Sequence, residues 1–429
     1  MDHLRNDQER RNQWYSKAVP RYVPVEPAQY PSNLRNPPVH GVYQKSYSVP
    51  FTWLSNSESV SLPNNLLATV LDTHGFVVVS GVLKPSECNE ALERAWDWIE
   101  AASVSELVEQ TKLPANEVST VILPPPPVIR QDPSTVSSVY FPRAVEGGMM
   151  PFYGSGHSTL AWTVRSNPKI KQVFAALHGT TDLISSLDGI VLWRAGCQHA
   201  TDKGWFHLDQ NPRQKPGRAC VQGLINLMDA SPATGGNVLV PQSHRLFPQH
   251  YLQDSNDTNN GSTVADYYRT RLDEIGGDDW MEINPNDEVV LDPQRIITLL
   301  LQAGDLLLWD SRTVHCSHPA TEDVTDIAIG AGNGLIRAAT AVCMLPTQSA
   351  SEAVLLERKQ AVHCSRTLTH WANKVAPLGN ERPEHVALES ACVNTMKQWQ
   401  ASRSSKVLLD YEDLTLEQKR LVVGNALAH

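Results

Sequence analysis

The chain has 429 residues, 41% apolar and 19% charged, enough to bury a large core in one elaborated domain or in two. Acidic residues outnumber basic ones 46 to 36 for a formal charge of -10, which leaves no basic footprint for nucleic acid and points to a small-molecule substrate. No apolar run approaches the roughly 18 residues of a membrane span, no apolar segment follows the charged N-terminus, and the seven cysteines are scattered without a Cys-x-x-Cys pair, so the cytoplasm is the expected location.

Residues 1–60 are polar and proline-bearing, and read as an extended N-terminal arm. Pro63 to Thr73 predicts a helix that Gly75 stops, Phe76 to Val79 a buried strand, and Pro85 to Ala101 a second amphipathic helix. Between about 103 and 156 the pattern loosens around Pro124 to Pro127, as in a surface insertion or a lid. Asn167-Pro168 opens a helix through Leu177.

From residue 188 strand signals follow at short intervals: near Ile190 to Arg194, Gly204 to Asp209, Ala219 to Met228, Asn237 to Pro241, Ile296 to Leu301, Leu306 to Trp309, Val314 to Ser317 and Ile336 to Leu345. That rhythm belongs to an antiparallel barrel or jelly roll. A polar, acidic stretch over 254–290 interrupts it and is expected to be a mobile loop. Ser351 to Lys374 looks helical, and Thr415 and Gln418 have capping-box spacing ahead of a last helix. The predicted organisation is therefore an arm (1–60), a mainly β domain with flanking helices (61–350), and a helical C-terminal extension (351–429).

Within that domain, Gly204 to Gln210 sets His207 and Asp209 two residues apart in a strand, hence on one face and able to share a metal ion, with Trp205 on the same side. The pair alone proves little, since chance would give about one or two such spacings. Its weight comes from the residues downstream of it: Gly235-Gly236 leading to Pro241-Gln242-Ser243-His244, then Gly304-Asp305 leading to His315-Cys316-Ser317, then Arg337 opening a last strand. His315 is preferred over His318 as a third ligand. Two histidines and a carboxylate on one side of an ion form the facial triad of non-haem Fe(II) oxygenases.

In these residues, over about 66–346, the chain resembles the phytanoyl-CoA dioxygenase family of Fe(II)/2-oxoglutarate oxygenases. The resemblance implies a double-stranded β-helix (jelly roll), iron ligands His207, Asp209 and His315, and 2-oxoglutarate and O₂ as cosubstrates, with release of succinate and CO₂. It makes Arg337 the partner of the distal carboxylate of 2-oxoglutarate, a role that also suits the bidentate geometry of guanidinium. The Ser317 hydroxyl could support 2-oxoglutarate, Arg194 or Asn226 could bind its keto-acid end, and Trp205 or Gln222 could touch substrate. The expected reaction is hydroxylation of a small organic metabolite. A cupin-like hydrolase or isomerase, or a non-catalytic jelly-roll binding protein, are the alternatives. The oligomeric state is not legible.

Overall fold

The computed structural model describes residues 39–40, 48–52, 63–111, 126–145, 148–195, 201, 204–253, 264–320, 334–378, 383–401 and 406–428. Two six-stranded sheets face each other. One has the order β1 (Val39–His40), β10 (Ile297–Leu299), β8 (Gly236–Leu239), β12 (His315–His318), β6 (His207–Leu208), β9 (Met281–Glu282). The other runs β2 (Ser48–Pro50), β3 (Phe76–Ser80), β11 (Leu306–Asp310), β7 (Val221–Asn226), β13 (Leu335–Ala341), β5 (Ile190–Arg194). A separate pair joins β4 (Leu183–Ser185) to β14 (Met344–Pro346). The expected jelly roll is thus observed, and the arm supplies β1 and β2, which join β10 and β3 in parallel.

Strand alternation divides the apolar residues into three layers. Phe76, Val78, Val191, Trp193, Leu224, Leu239, Leu299 and Leu307 fill the space between the sheets. On the far side of the second sheet, Val77, Val79, Val221, Ile225, Leu306 and Leu308 pack under helices α1 (Pro63–His74), α2 (Pro85–Thr111), α3 (Thr159–Arg165) and α4 (Pro168–His178). On the far side of the first, Leu208, Val238, Met281 and Cys316 lie under Phe247, Tyr251, Tyr268 and Leu272.

Helix α1 ends as predicted, with Gly75 at φ +83°. Asn167 caps α4. Helix α2 runs ten residues beyond its predicted end, and α3, capped by Ser158, is additional. Of the polyproline stretch, Pro124 and Pro125 fall outside the described residues.

The expectation of a mobile loop over 254–290 is corrected. Its described part holds α5 (Val264–Ile275) and β9, because Tyr268, Leu272, Met281 and Ile283 are buried against the first sheet. The helix expected through Lys374 stops at His363: α6 (Glu352–His363) gives way at Cys364, and Ser365 takes φ +51°. Residues 364–378 form a loop whose Trp371 is nevertheless buried. Helices α7 (Pro383–Ala401) and α8 (Leu416–Val423) complete the extension, α8 with the predicted Thr415/Gln418 capping box.

Candidate metal centre

His207 and His315 lie on adjacent antiparallel strands and are register partners. Their rings are 4.3 Å apart, centroid to centroid. Asp209 follows β6 and reaches both: Oδ1 is 3.6 Å from His207 Nε2, and Oδ2 is 3.3 Å from His315 Nε2. One donor atom from each of the three residues lies within 4.8 Å of the others. His318, the competing candidate, alternates onto the opposite face of β12 from His315.

The histidine tautomers suit a metal. His207 Nδ1 bonds the carbonyl of Trp205 at 3.1 Å and His315 Nδ1 that of Thr313 at 2.9 Å. A carbonyl only accepts, so each Nδ1 carries the proton and each Nε2 presents a lone pair toward Asp209. Burial, and then the neighbouring His315, lower the pKa of His207 to about 4, which keeps the imidazole neutral. The Asp209 carboxylate accepts the Gln222 side-chain amide at Oδ2, 2.9 Å away, which favours its ionised form. Two lone pairs and one ionised carboxylate form a donor set for a divalent ion with a preference for nitrogen and oxygen.

Arg337 lies on β13. Its guanidinium packs over Trp193, 4.4 Å from the ring centroid, and Nη2 donates to Asn237 Oδ1 at 2.8 Å. Nη1 is buried and has no partner among the described residues. Burial lowers this guanidinium to about 10, and no described acid pairs with it. Such an arrangement calls for an anionic ligand. Ser317 is the register partner of Asn237 and shares its face, so Ser317, Asn237 and Arg337 border one space. Asn237, which in sequence reads only as the start of a strand after a glycine turn, is the polar residue that sequence reasoning missed here.

Other sequence candidates are placed differently. Arg194 turns away: Ile190 and Leu192 share its face and pack outward, whereas Val191 and Trp193 face the interior. Its guanidinium holds the carbonyls of Val136 and Ser138 at 2.5 and 2.7 Å and lies over Phe141. Asn226 does face inward with Gln222 and Leu224, but its amide nitrogen bonds the carbonyls of Met228 and Leu301, which is a structural engagement. Gln222, read as a substrate contact, instead donates to Asp209 Oδ2 at 2.9 Å. Trp205 stacks on His207 at 4.5 Å with its indole N–H bonded to the Ser317 carbonyl, so it fixes the His207 ring. Trp280, from the insertion, and Trp309 flank the two histidines at 5.7 and 5.3 Å.

A family model described as phytanoyl-CoA dioxygenase (PhyH) matches residues 195–324, a span that includes His207, Asp209 and His315 and stops before Arg337. A protein of Aspergillus versicolor, Ava biosynthesis cluster protein O, is 30% identical over 248 residues, 57% of this chain and 72% of that protein. Among solved structures, the epimerase SnoN in complex with Fe3+, alpha ketoglutarate and nogalamycin RO aligns at 17% identity and a TM-score of 0.36, covering 75% of this chain and 97% of that one. A hypothetical protein, JW0805 from Escherichia coli, aligns at 11% identity and a TM-score of 0.48, covering 88% and 84%. No helix among the described residues is long and apolar enough to cross a membrane.

Proposed function

Because this chain belongs to the phytanoyl-CoA dioxygenase family, whose members are Fe(II)/2-oxoglutarate-dependent enzymes, we propose that His207, Asp209 and His315 hold its iron and that it hydroxylates a C–H bond of a small organic metabolite. Iron, 2-oxoglutarate and O₂ are its cofactor and cosubstrates. When bound, they supply oxidising power through decarboxylation of 2-oxoglutarate to succinate and CO₂.

The single observation that carries the residue assignment is the convergence of His207 Nε2, His315 Nε2 and the Asp209 carboxylate, with both Nδ1 atoms already committed to backbone carbonyls. Arg337 receives the distal carboxylate of 2-oxoglutarate, because its buried Nη1 otherwise stays unsatisfied. Asn237 orients the guanidinium from one side and Trp193 from below. A hydrolase or isomerase using the same three ligands would leave Arg337 without a role. The presence of Asp209 in the triad disfavours halogenation, since no position at the metal is vacated for a halide. That a relative is named for a biosynthesis cluster supports a specialised small-molecule substrate.

Anaerobic addition of Fe(II) and 2-oxoglutarate should give a visible metal-to-ligand charge-transfer band. Aerobic incubation with metabolite extracts should then release succinate and shift one metabolite by one oxygen. A protein with no band and no succinate would end the proposal, and a loss of two hydrogens without oxygen gain would replace hydroxylation with desaturation or ring closure.

A further inference from the structure

The 254–290 insertion reaches the metal centre through β9. Its register with β6 sets Glu282 opposite His207 and Met281 opposite Leu208, so the residues next in line are Trp280 and Asp209. Side chains alternate along these strands. Met281 therefore goes with Leu208 to the apolar layer outside the sheet, and Trp280 to the face that carries His207. The Trp280 ring lies 5.7 Å from the His207 ring, centroid to centroid, tilted by 31°.

Asp279, one residue back, points the other way by the same alternation and is tied to two other segments. Lys215, in the turn after Asp209, and Lys374, in the loop that follows α6, both pair with its carboxylate. The Asn211 backbone N–H also donates to it at 3.4 Å, and the Asn211 side-chain amide donates to the carbonyls of Gly276 and Asp278 at 3.1 and 3.0 Å. Both ammonium groups lie over the ring of the buried Trp371, 4.8 and 5.0 Å from its centroid. The backbone that carries Trp280 is thus fixed beside the metal ligands before any substrate arrives, which spares binding the cost of ordering it.

The other tryptophans beside the two histidines are already engaged. Trp205 stacks flat on His207 and gives its N–H to the Ser317 carbonyl, and Trp309 is buried between the sheets. Trp280 is only half-buried. Asp209, its opposite, is the most open of the three ligands, with 16% of its side chain exposed against 6% for His207 and 9% for His315. Aromatic surface next to an accessible ligand marks where a molecule nears the metal, and a fixed indole favours a flat, apolar partner. We propose that Trp280 is a substrate-binding residue lent by the insertion, which takes a ring or planar unsaturated part of the substrate against its indole and so sets which carbon faces the metal. The proposal rests on the function inferred above, and its test separates the two.

Wild type, Trp280→Phe, Trp280→Leu and Trp280→Ala are compared by the Fe(II)/2-oxoglutarate charge-transfer band. With the metabolite that wild type consumes, purified from the extract, they are compared by KM, by product formed per succinate and by the carbon oxidised. The expected result is the wild-type band in all four and a KM within about threefold of wild type in Trp280→Phe. In Trp280→Leu and Trp280→Ala the KM should rise about tenfold, with less product per succinate and a second carbon oxidised. Wild-type KM, coupling and product in Trp280→Leu would overturn the proposal. So would a metabolite without a ring or planar unsaturated group, or loss of the band in every variant, which would make the indole a support of His207 instead. A wild-type protein without the band would overturn the underlying function and the substrate role together.

Discussion

Gln222 donates its side-chain amide to Asp209 Oδ2 at 2.9 Å, so a strand of one sheet braces the carboxylate that follows a strand of the other. Substitution Gln222→Leu removes that brace while keeping a side chain of similar size. Partners of this kind typically change metal affinity by about 10- to 100-fold. Fe(II) titration under argon should show such a loss with the melting temperature little altered, and unchanged affinity would show that the carboxylate needs no brace.

Arg337→Ala should weaken 2-oxoglutarate binding by about 1.5–3 kcal/mol, the scale of hydrogen bonds to charged groups, or roughly ten- to a hundredfold in affinity. Arg337→Lys should recover only part of it, because an ammonium cannot reproduce a planar fork. The charge-transfer band, titrated with 2-oxoglutarate, measures both. Wild-type affinity in Arg337→Ala would assign the carboxylate to another cation.

His157 predicts an acid-sensitive anchor for the C-terminal extension. Burial lowers its pKa from 6.5 to about 3, and its Nε2 bonds the carbonyl of Arg366 at 2.8 Å. Above pH 6.5 the residue is neutral in both the folded and unfolded chain and nothing is lost. Below it the unfolded chain takes up a proton that the folded one refuses, so stability falls as pH drops toward 3, by about 1.4 kcal/mol per pH unit from this group. Denaturant melts between pH 7 and pH 4 should show a shallower decline in His157→Gln, and parallel curves would remove His157 from the account.

Gly75→Ala should damage stability and site together. At φ +83° a side chain is strained, and a Cβ there would meet His244 Nδ1 and Thr313 Oγ1, each at 2.5 Å. Left-handed backbone alone costs about 1–2 kcal/mol, and the clash adds to it. Thr313 also supplies the carbonyl that fixes His315. Both a lower melting temperature and weaker Fe(II) binding are expected, and a variant as stable as wild type would show that the turn relaxes.

Much of this site can be read from the chain, for physical reasons that also mark where reading stops. His207 and Asp209 are legible because strand alternation puts residues two apart on one face, a local rule. The pairing of His207 with His315, more than a hundred residues on, is tertiary, and only the likeness to a family supplied it. Arg194 went astray because Ile190 to Trp193 is apolar on both faces, as a strand covered on each side must be, so its sequence does not say which face is inward. Gln222 and Asn237 show the same limit: their partners Asp209 and Arg337 lie on distant segments of the chain.

The flanking segments escape sequence reading for a different reason. The 254–290 stretch is polar overall, and composition hides the few residues, Tyr268, Leu272, Met281 and Ile283, that bury against the sheet. His370 and Trp371 sit where helical periodicity continues in the sequence, while the break at Cys364 and Ser365 carries no glycine or proline to announce it.

The parallel addition of β1 to β10 and of β2 to β3 gives the N-terminal arm a protective duty. Its short strands occupy the outermost main-chain hydrogen-bonding positions on one margin of each sheet. Trimming the first fifty residues would bare two rows of amides and carbonyls, the kind of surface on which neighbouring molecules zip together. Aggregation should therefore precede any loss of chemistry in a shortened protein, and light scattering would register the damage before an activity assay did.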